Sequence, residues 1–201
     1  MKLDKIFFIN LDHRTDRLTE INGELESHGI ADLSERFSAI RHETIGGVGC
    51  GRSHIEVLRL AKERGYSRVL ILEDDFMFTV GPIEFAECLR KVEDLEFDVC
   101  LLAGHLMAVS AHQDHDFLYK VHEAQTTSAY IINSHYYDEL INVFSEAVTQ
   151  FEATNYHWLY AIDVAWKRLQ ARDNWVCLNP RVGKQRPSYS DCGNTFSETE
   201  W

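Results

Sequence analysis

Short continuous apolar runs alternate along this chain with stretches in which apolar residues return every three or four positions. The first pattern marks strands buried on both faces of a sheet, and the second marks helices with one buried stripe. Runs at residues 6–11 (IFFINL), 36–40, 69–72, 97–103 (FDVCLLA), 117–124, 128–132 and 175–179 predict strands, with the pair 117–124 and 128–132 compatible with antiparallel pairing. Leu18, Ile21 and Leu25 predict a helix ended by Gly29. Ile55, Leu58 and Ala61 predict a second, stopped by Gly65 and started by a capping box of Ser53 and Glu56, after a polar loop that carries Gly46, Gly47, Gly49 and Gly51. Gly81 and Pro82 open a third, with Ile83, Ala86 and Leu89 facing inward. A fourth begins at Ser134 and buries Tyr137, Leu140, Ile141, Phe144 and Val148; Trp158, Ile162, Ala165 and Leu169 then continue at helical spacing. Strands and helices in alternation predict an α/β protein, a largely parallel sheet flanked by helices.

One strand ends unlike the others. Residues 69–72 run straight into Glu73, Asp74 and Asp75, at the carboxyl end of the strand, where open α/β sheets place their ligands. Like charges at that density repel unless something positive sits among them. A divalent metal held by carboxylate oxygens, itself carrying a nucleotide diphosphate, is the economical explanation, and a solvated acidic turn is the plain one. The first strand also runs into a charged turn, containing Asp12, His13, Arg14, Asp16 and Arg17. Helix amino ends and guanidinium forks both favour anions, so Arg14 and Arg17 either meet a phosphate or stay solvated. Near the other end, Lys184 and Arg186 make the tail a basic cover for an anionic ligand. Residues 109–116, with His112, Asp114, His115 and Asp116, read as a polar loop and not as a metal cluster, because no apolar scaffold spaces those side chains regularly.

Composition narrows the classes. A chain of 201 residues can bury a sizeable core and favours one domain. A net charge of -12 argues against nucleic acid, which calls for a basic footprint, so any anionic ligand must be met locally. No apolar run approaches the ~18 to 20 residues of a transmembrane segment, and the start of the chain lacks the apolar core of a signal peptide, so a soluble, cytoplasmic protein is expected. Five cysteines, Cys50, Cys88, Cys100, Cys177 and Cys192, are odd in number and form no CxxC pair. That indicates reduced thiols, with neither a disulfide framework nor a zinc site.

The motifs IFFINLDHRTDR, RFSAI, GCGRSH, LILEDDF, TTSAYII, AIDVAWKRL and NPRVGKQ follow one another over nearly the full length. In that order they resemble glycosyltransferase family 25, which includes bacterial lipo-oligosaccharide galactosyltransferases, collagen hydroxylysine galactosyltransferases and relatives in giant viruses. The resemblance implies a GT-A type, Rossmann-like nucleotide-sugar-binding fold over residues 1–201, with 1–105 as donor-binding half and 106–201 as acceptor or closing half. It also implies a UDP-galactose or UDP-glucose donor, Mn2+ or Mg2+, and inversion at the anomeric carbon. A hydroxyl of a glycan, lipo-oligosaccharide or hydroxylysine would be the acceptor. By position, Asn10, Leu11 and Arg14, with Arg17 beside them, match the family's donor-binding first strand and turn; Cys50, Ser53 and His54 match its GC-x-x-SH motif. Arg52 stands where relatives carry a small or aliphatic residue, and either reaches the diphosphate or alters binding. Glu73 and Asp75 match the outer carboxylates of the acidic motif, Asp75 as metal ligand and Glu73 toward the metal or the ribose, with Asp74 between them at the donor. Gln185, next to Lys184, matches the terminal glutamine, and Asp163 the later family aspartate.

An inverting transfer needs a base opposite the leaving group. Asp163 is the first candidate, with Asp191 or an acid of residues 112–116 as replacements, and His54 supports the donor loop. If a helix starts near Val164, Asp163 is instead its N-cap. Two other classes stay open: a metal-dependent nucleotidyltransferase or nucleotide-sugar hydrolase, and a non-catalytic nucleotide-sugar-binding module. The first would ordinarily carry a glycine-rich phosphate loop where this chain has DHRTDR, and the second would lose one of the outer acids.

Overall fold

A computed structural model describes residues 2–193 and 195–197. The chain begins with β1 (Lys5–Asn10) and α1 (Thr15–Ser27), then β2 (Ser34–Ser38), α2 (Gly46–Glu63) and β3 (Arg68–Glu73). A short β4 (Phe76–Phe78) and α3 (Pro82–Glu93) lead to β5 (Val99–Leu101), β6 (His105–Ala111), β7 (Leu118–Gln125) and β8 (Ala129–Asn133). After α4 (Tyr137–Thr154) come three single-turn helices, α5 (His157–Tyr160), α6 (Ile162–Ala165) and α7 (Lys167–Gln170). The chain closes with β9 (Trp175–Leu178), β10 (Gly183–Gln185), β11 (Ser188–Ser190) and β12 (Thr195–Ser197).

Eight strands form one sheet in the order β2-β1-β3-β8-β5-β9-β7-β6. β1 is parallel to β2 and β3, and β5 is parallel to β9; β8 runs against β3 and β5, and β7 against β9 and β6. Only β8 and β7 are therefore reversed, and the sheet is mostly parallel, as the buried runs predict. Successive strand residues point to opposite faces, which divides the core in two. Ile6, Phe8, Leu70 and Leu72 pack with Ile21 and Leu25 of α1 and Phe85 of α3, whereas Phe7, Ile9, Val69 and Ile71 pack with Val57 and Leu58 of α2 and Phe144 of α4. Helices thus cover both faces, and the helix-ending glycines, Gly29 at φ +66° and Gly65 at φ +68°, take the left-handed turn expected of them. Among the described residues no helix is long and apolar enough to cross a membrane.

Several local expectations change: 117–124 and 128–132 do not pair with each other, since β7 lies between β9 and β6 and β8 between β3 and β5, and residues 109–111, expected in a loop, belong to β6. α2 begins at Gly46, so the glycine stretch is helical and Ser53 is not an N-cap; its hydroxyl donates to the Gly49 carbonyl at 2.8 Å and accepts from the Ile40 amide at 2.8 Å. The reason is close packing: a Cβ on Gly49 would lie 2.3 Å from the Ile40 carbonyl oxygen. In α3 the buried residues are Phe85 and Val92, with Leu89 half-buried, while Ile83 is 77% exposed and Ala86 is also exposed. Phe85 sets that rotation by packing 4.7 Å from the ring of Phe78 on β4. After Asn155, at φ +58°, the chain bends into α5–α7, which bury Ile162, Trp166 and Leu169 but leave Trp158 57% exposed.

Candidate active site

Because β1 and β3 are parallel neighbours, with Ile9 opposite Glu73, the carboxyl ends of both strands meet at one place. Asn10 ends β1 and donates to Asp74 Oδ2 at 2.7 Å. The first turn of α1 rises over the same point, where Arg17, only 8% exposed, reaches Asp74 Oδ1 at 2.8 Å and Asp75 Oδ2 at 3.0 Å. The pairing of β10 with β4 brings in Gln185, whose amide donates to Asp75 Oδ2 at 3.1 Å. Asp75 Oδ1 is buried and has no hydrogen-bond partner.

The three consecutive acids have different surroundings. Asp74 is bound on both oxygens, by Asn10 and Arg17. Glu73 Oε1 accepts from the Thr127 hydroxyl at 2.5 Å and lies 3.3 Å from His54 Nε2, while His54 Nδ1 lies 2.9 Å from the Tyr130 hydroxyl. Burial, then the neighbouring Glu73 charge, push the Asp75 carboxyl up to about 7, against the pull of Arg17. Burial also raises Asp74. For Glu73 burial acts the same way, but the contact with His54 wins and holds it below the usual carboxylate range. Burial opposes the charge of Arg17, yet Asp75 and Asp74 outweigh it and raise its pKa.

A cleft of about 280 Å³ opens over these groups. Its apolar wall is Ile9, Leu11, Ala39 and Ile40, Cys50, Glu73 and Asp75 line it deeper in the fold, and residues 190–192 of the tail line it from the more exposed side. Another hollow, about 550 Å³, lies between α3 and Pro180 and contains none of the residues expected at the donor site, so its larger volume does not make it the better candidate.

The arginines of the first turn are engaged with the tail and not merely solvated. Arg14 Nη1 reaches Asp191 Oδ2 at 2.5 Å and the Tyr189 carbonyl at 3.0 Å, and Arg17 Nη2 donates to Ser188 Oγ at 2.6 Å. His13 Nε2 adds a contact to Asp191 at 3.2 Å. Arg52 lies outside the cleft, its guanidinium 2.5 Å from Glu152. Lys184 on β10 stands opposite Met77 and does not line the cleft, and Arg186 is drawn to Glu24 at 2.9 Å.

Asp163 is the second residue of α6, whose N-cap is Ala161, so its carboxylate is not a cap. Its Oδ2 accepts from the Thr126 amide at 3.2 Å, and the adjacent Thr127 holds Glu73, which sets Asp163 one residue away from the acidic strand end and outside the main cleft lining. Burial raises its pKa. Asp191 is a weaker base: burial opposes, but Arg14 and His13 hold it below the usual range. The acids of residues 112–116 occupy the turn of the β6–β7 hairpin. Among the described residues, the one grouping of three or more His, Cys and carboxylate side chains with ligand atoms close enough to share a metal is Cys50, His54 and Glu73, away from that turn.

Several contributors have little signal in the sequence. Thr127 and Tyr130 meet Glu73 and His54 only because reversed β8 inserts beside β3, with Leu72 opposite Ala129. Residues 41–44 of the wall and Cys192 carry no local pattern, and only RFSAI points to Ala39 and Ile40. TTSAYII was the single pointer to the threonine and tyrosine.

No family model matches the sequence, and no curated protein matches it. Among solved structures, a glycosyltransferase involved in the glycosylation of the major capsid of PBCV-1 aligns with a TM-score of 0.54 at 10% identity, over 88% of this chain and 81% of that one. A197 from STIV aligns at 0.49 and 14% identity, over 92% and 85%, and the galactosyltransferase LgtC, in complex with donor and acceptor sugar analogues, at 0.46 and 12%, over 85% and 72%. The likeness to the capsid glycosyltransferase, together with a mostly parallel sheet covered by helices, gives this chain a GT-A-like α/β fold.

Proposed function

We propose that the chain is a metal-dependent, inverting glycosyltransferase that moves a hexose, galactose or glucose, from a UDP-sugar to a hydroxyl of a glycan-type acceptor, in the manner of family 25. The observation that carries this reading is the buried, unpartnered Oδ1 of Asp75, which lines the cleft beside Glu73. A buried carboxylate oxygen without a donor is costly unless something fills the place, and oxygen ligands suit Mn2+ or Mg2+. Asp75 and Glu73 would hold that ion. When bound, it would neutralise the charge that develops on the departing diphosphate.

The remaining residues divide the work. Ile9, Leu11, Ala39 and Ile40 offer an apolar wall to the nucleoside, while Asn10 and Arg17 fix the acidic strand end. Arg14 is bound to Asp191, so an anion reaching its guanidinium has to displace that carboxylate. Asp163, with its raised pKa, is a stronger base than an exposed carboxylate and takes the acceptor proton.

A panel of UDP-sugars tests this. One of them should release UDP only with Mn2+ and faster when a sugar acceptor is added, and Asp163→Asn should cut that transfer at least ~100-fold while UDP binding persists. Release that ignores acceptor would make the protein a hydrolase, and unchanged transfer in Asp163→Asn would move the base elsewhere.

A further inference from the structure

Beside the acidic strand end lies a second set of potential ligands, of softer chemistry. Cys50 and His54 stand one turn apart on α2, so both point to the end of β3, and one ligand atom from each of Cys50, His54 and Glu73 lies within 4.8 Å of the other two. Zinc ligands at about 2.0 to 2.3 Å around a tetrahedral centre stand roughly 3.3 to 3.8 Å from one another. His54 Nε2 and Glu73 Oε1 are 3.3 Å apart, which is long for a nitrogen to oxygen hydrogen bond and fits two ligands of one ion.

The surroundings match a metal site in a second respect. The other imidazole nitrogen of a metal-bound histidine ordinarily has an oxygen partner, and a ligating carboxylate is itself hydrogen-bonded. His54 Nδ1 has the Tyr130 hydroxyl at 2.9 Å, and Glu73 has the Thr127 hydroxyl at 2.5 Å. Cys50 and Glu73 both line the cleft, so an ion has a route in. Cys192 also lines the cleft, and its proximity, followed by burial, raises the pKa of the Cys50 thiol. All five cysteines are free.

We propose that Cys50, His54 and Glu73 bind Zn2+ at the cleft, with Cys192 of the tail as fourth ligand. Thiolate and imidazole favour zinc over manganese or magnesium, which take oxygen ligands. Such an ion ties residues 190–192 to α2 across the cleft and occupies Glu73. The site stands on these ligand atoms and does not require the donor reading; it shares Glu73 with the divalent-ion site proposed above, so Zn2+ bound here leaves Asp75 as that ion's carboxylate ligand.

Co2+ is the probe, added to the metal-stripped, fully reduced chain without nucleotide. The expected result is one Co2+ per chain, tetrahedral visible bands, a near-ultraviolet thiolate charge-transfer band, and displacement by Zn2+ but not by Mg2+. Cys50→Ser should remove the charge-transfer band. Cys192→Ser changes an exposed side chain, so it is informative even where Cys50→Ser fails to fold, and it should reduce the band by roughly half, as for one thiolate of two. Cobalt binding without a thiolate band, or a band that Cys192→Ser leaves unaltered, overturns the four-ligand site. Because no nucleotide is present, neither outcome bears on donor binding.

Discussion

Arg17 and Asp75 carry the electrostatics of the cleft. With its guanidinium buried against two carboxylates, Arg17 is the counter-charge that lets the acidic strand end exist inside the fold. Breaking a buried ion pair by removing one partner costs about 3 to 5 kcal/mol, because the remaining charge is left uncompensated. Arg17→Ala is therefore expected to destabilise by that amount in urea denaturation, and a loss under about 1 kcal/mol would return Arg17 to the exposed helix turn that its position in the sequence suggests. Asp75 behaves in the opposite sense in metal-free protein. Its folded pKa of about 7 lies above the ordinary aspartate value of 3.8, so the folded state holds a proton that the unfolded state releases, and stability falls as pH rises through that interval. Asp75→Asn should accordingly melt at or above the parent near pH 8 without metal, and lose that advantage below about pH 4, where both states are protonated. A lower melting temperature for Asp75→Asn near pH 8 would show that the ionised carboxylate stabilises the fold.

At the level of elements, α2, which lines the cleft with Gly46 and Cys50 and backs the 39–44 wall through Gly49, is the piece least legible in the sequence. Four glycines before Ser53 look like a loop because glycine is a poor helix former by about 1 kcal/mol per residue. They are helical because the helix approaches its neighbours too closely for a side chain, Gly49 against the Ile40 carbonyl and Gly51 against Val148. Local propensity cannot report a contact with a loop formed elsewhere. Gly49→Ala is expected to destabilise by ~1 to 3 kcal/mol and to weaken nucleotide binding, since the 39–44 wall must shift. Gly23→Ala, in α1 with nothing within 4 Å of an added Cβ, should stabilise by about 0.5 to 1 kcal/mol. Equal effects of both substitutions in denaturation curves would contradict the packing explanation. The exposure of Trp158 has the same origin as the misplaced Ile83: helical spacing indicates a stripe, but which residues of it are buried is settled by partners such as Phe78 and by the bend at Asn155.

Across the whole molecule, the alternation of buried strands and amphipathic helices was enough to reach a mostly parallel sheet covered on both faces. Glu73, Asp74 and Asp75 pointed to the candidate site because three acids follow directly on the apolar run 69–72. The reversal of β8, which delivers Thr127 and Tyr130, and the return of the tail over Arg14 and Arg17 join residues more than fifty positions apart, and no periodicity records such pairings. The central claim is that this junction holds a nucleotide diphosphate through a divalent ion on Asp75. Calorimetric titration of UDP, with and without Mn2+, into the parent and Asp75→Asn proteins tests it most directly. The account predicts tight binding to the parent only with Mn2+, a stabilisation of ~2.7 kcal/mol at a hundredfold excess over the dissociation constant, and loss of the Mn2+-dependent part in a still-folded Asp75→Asn. UDP binding that is the same with and without Mn2+, or that survives unchanged in Asp75→Asn, would contradict it.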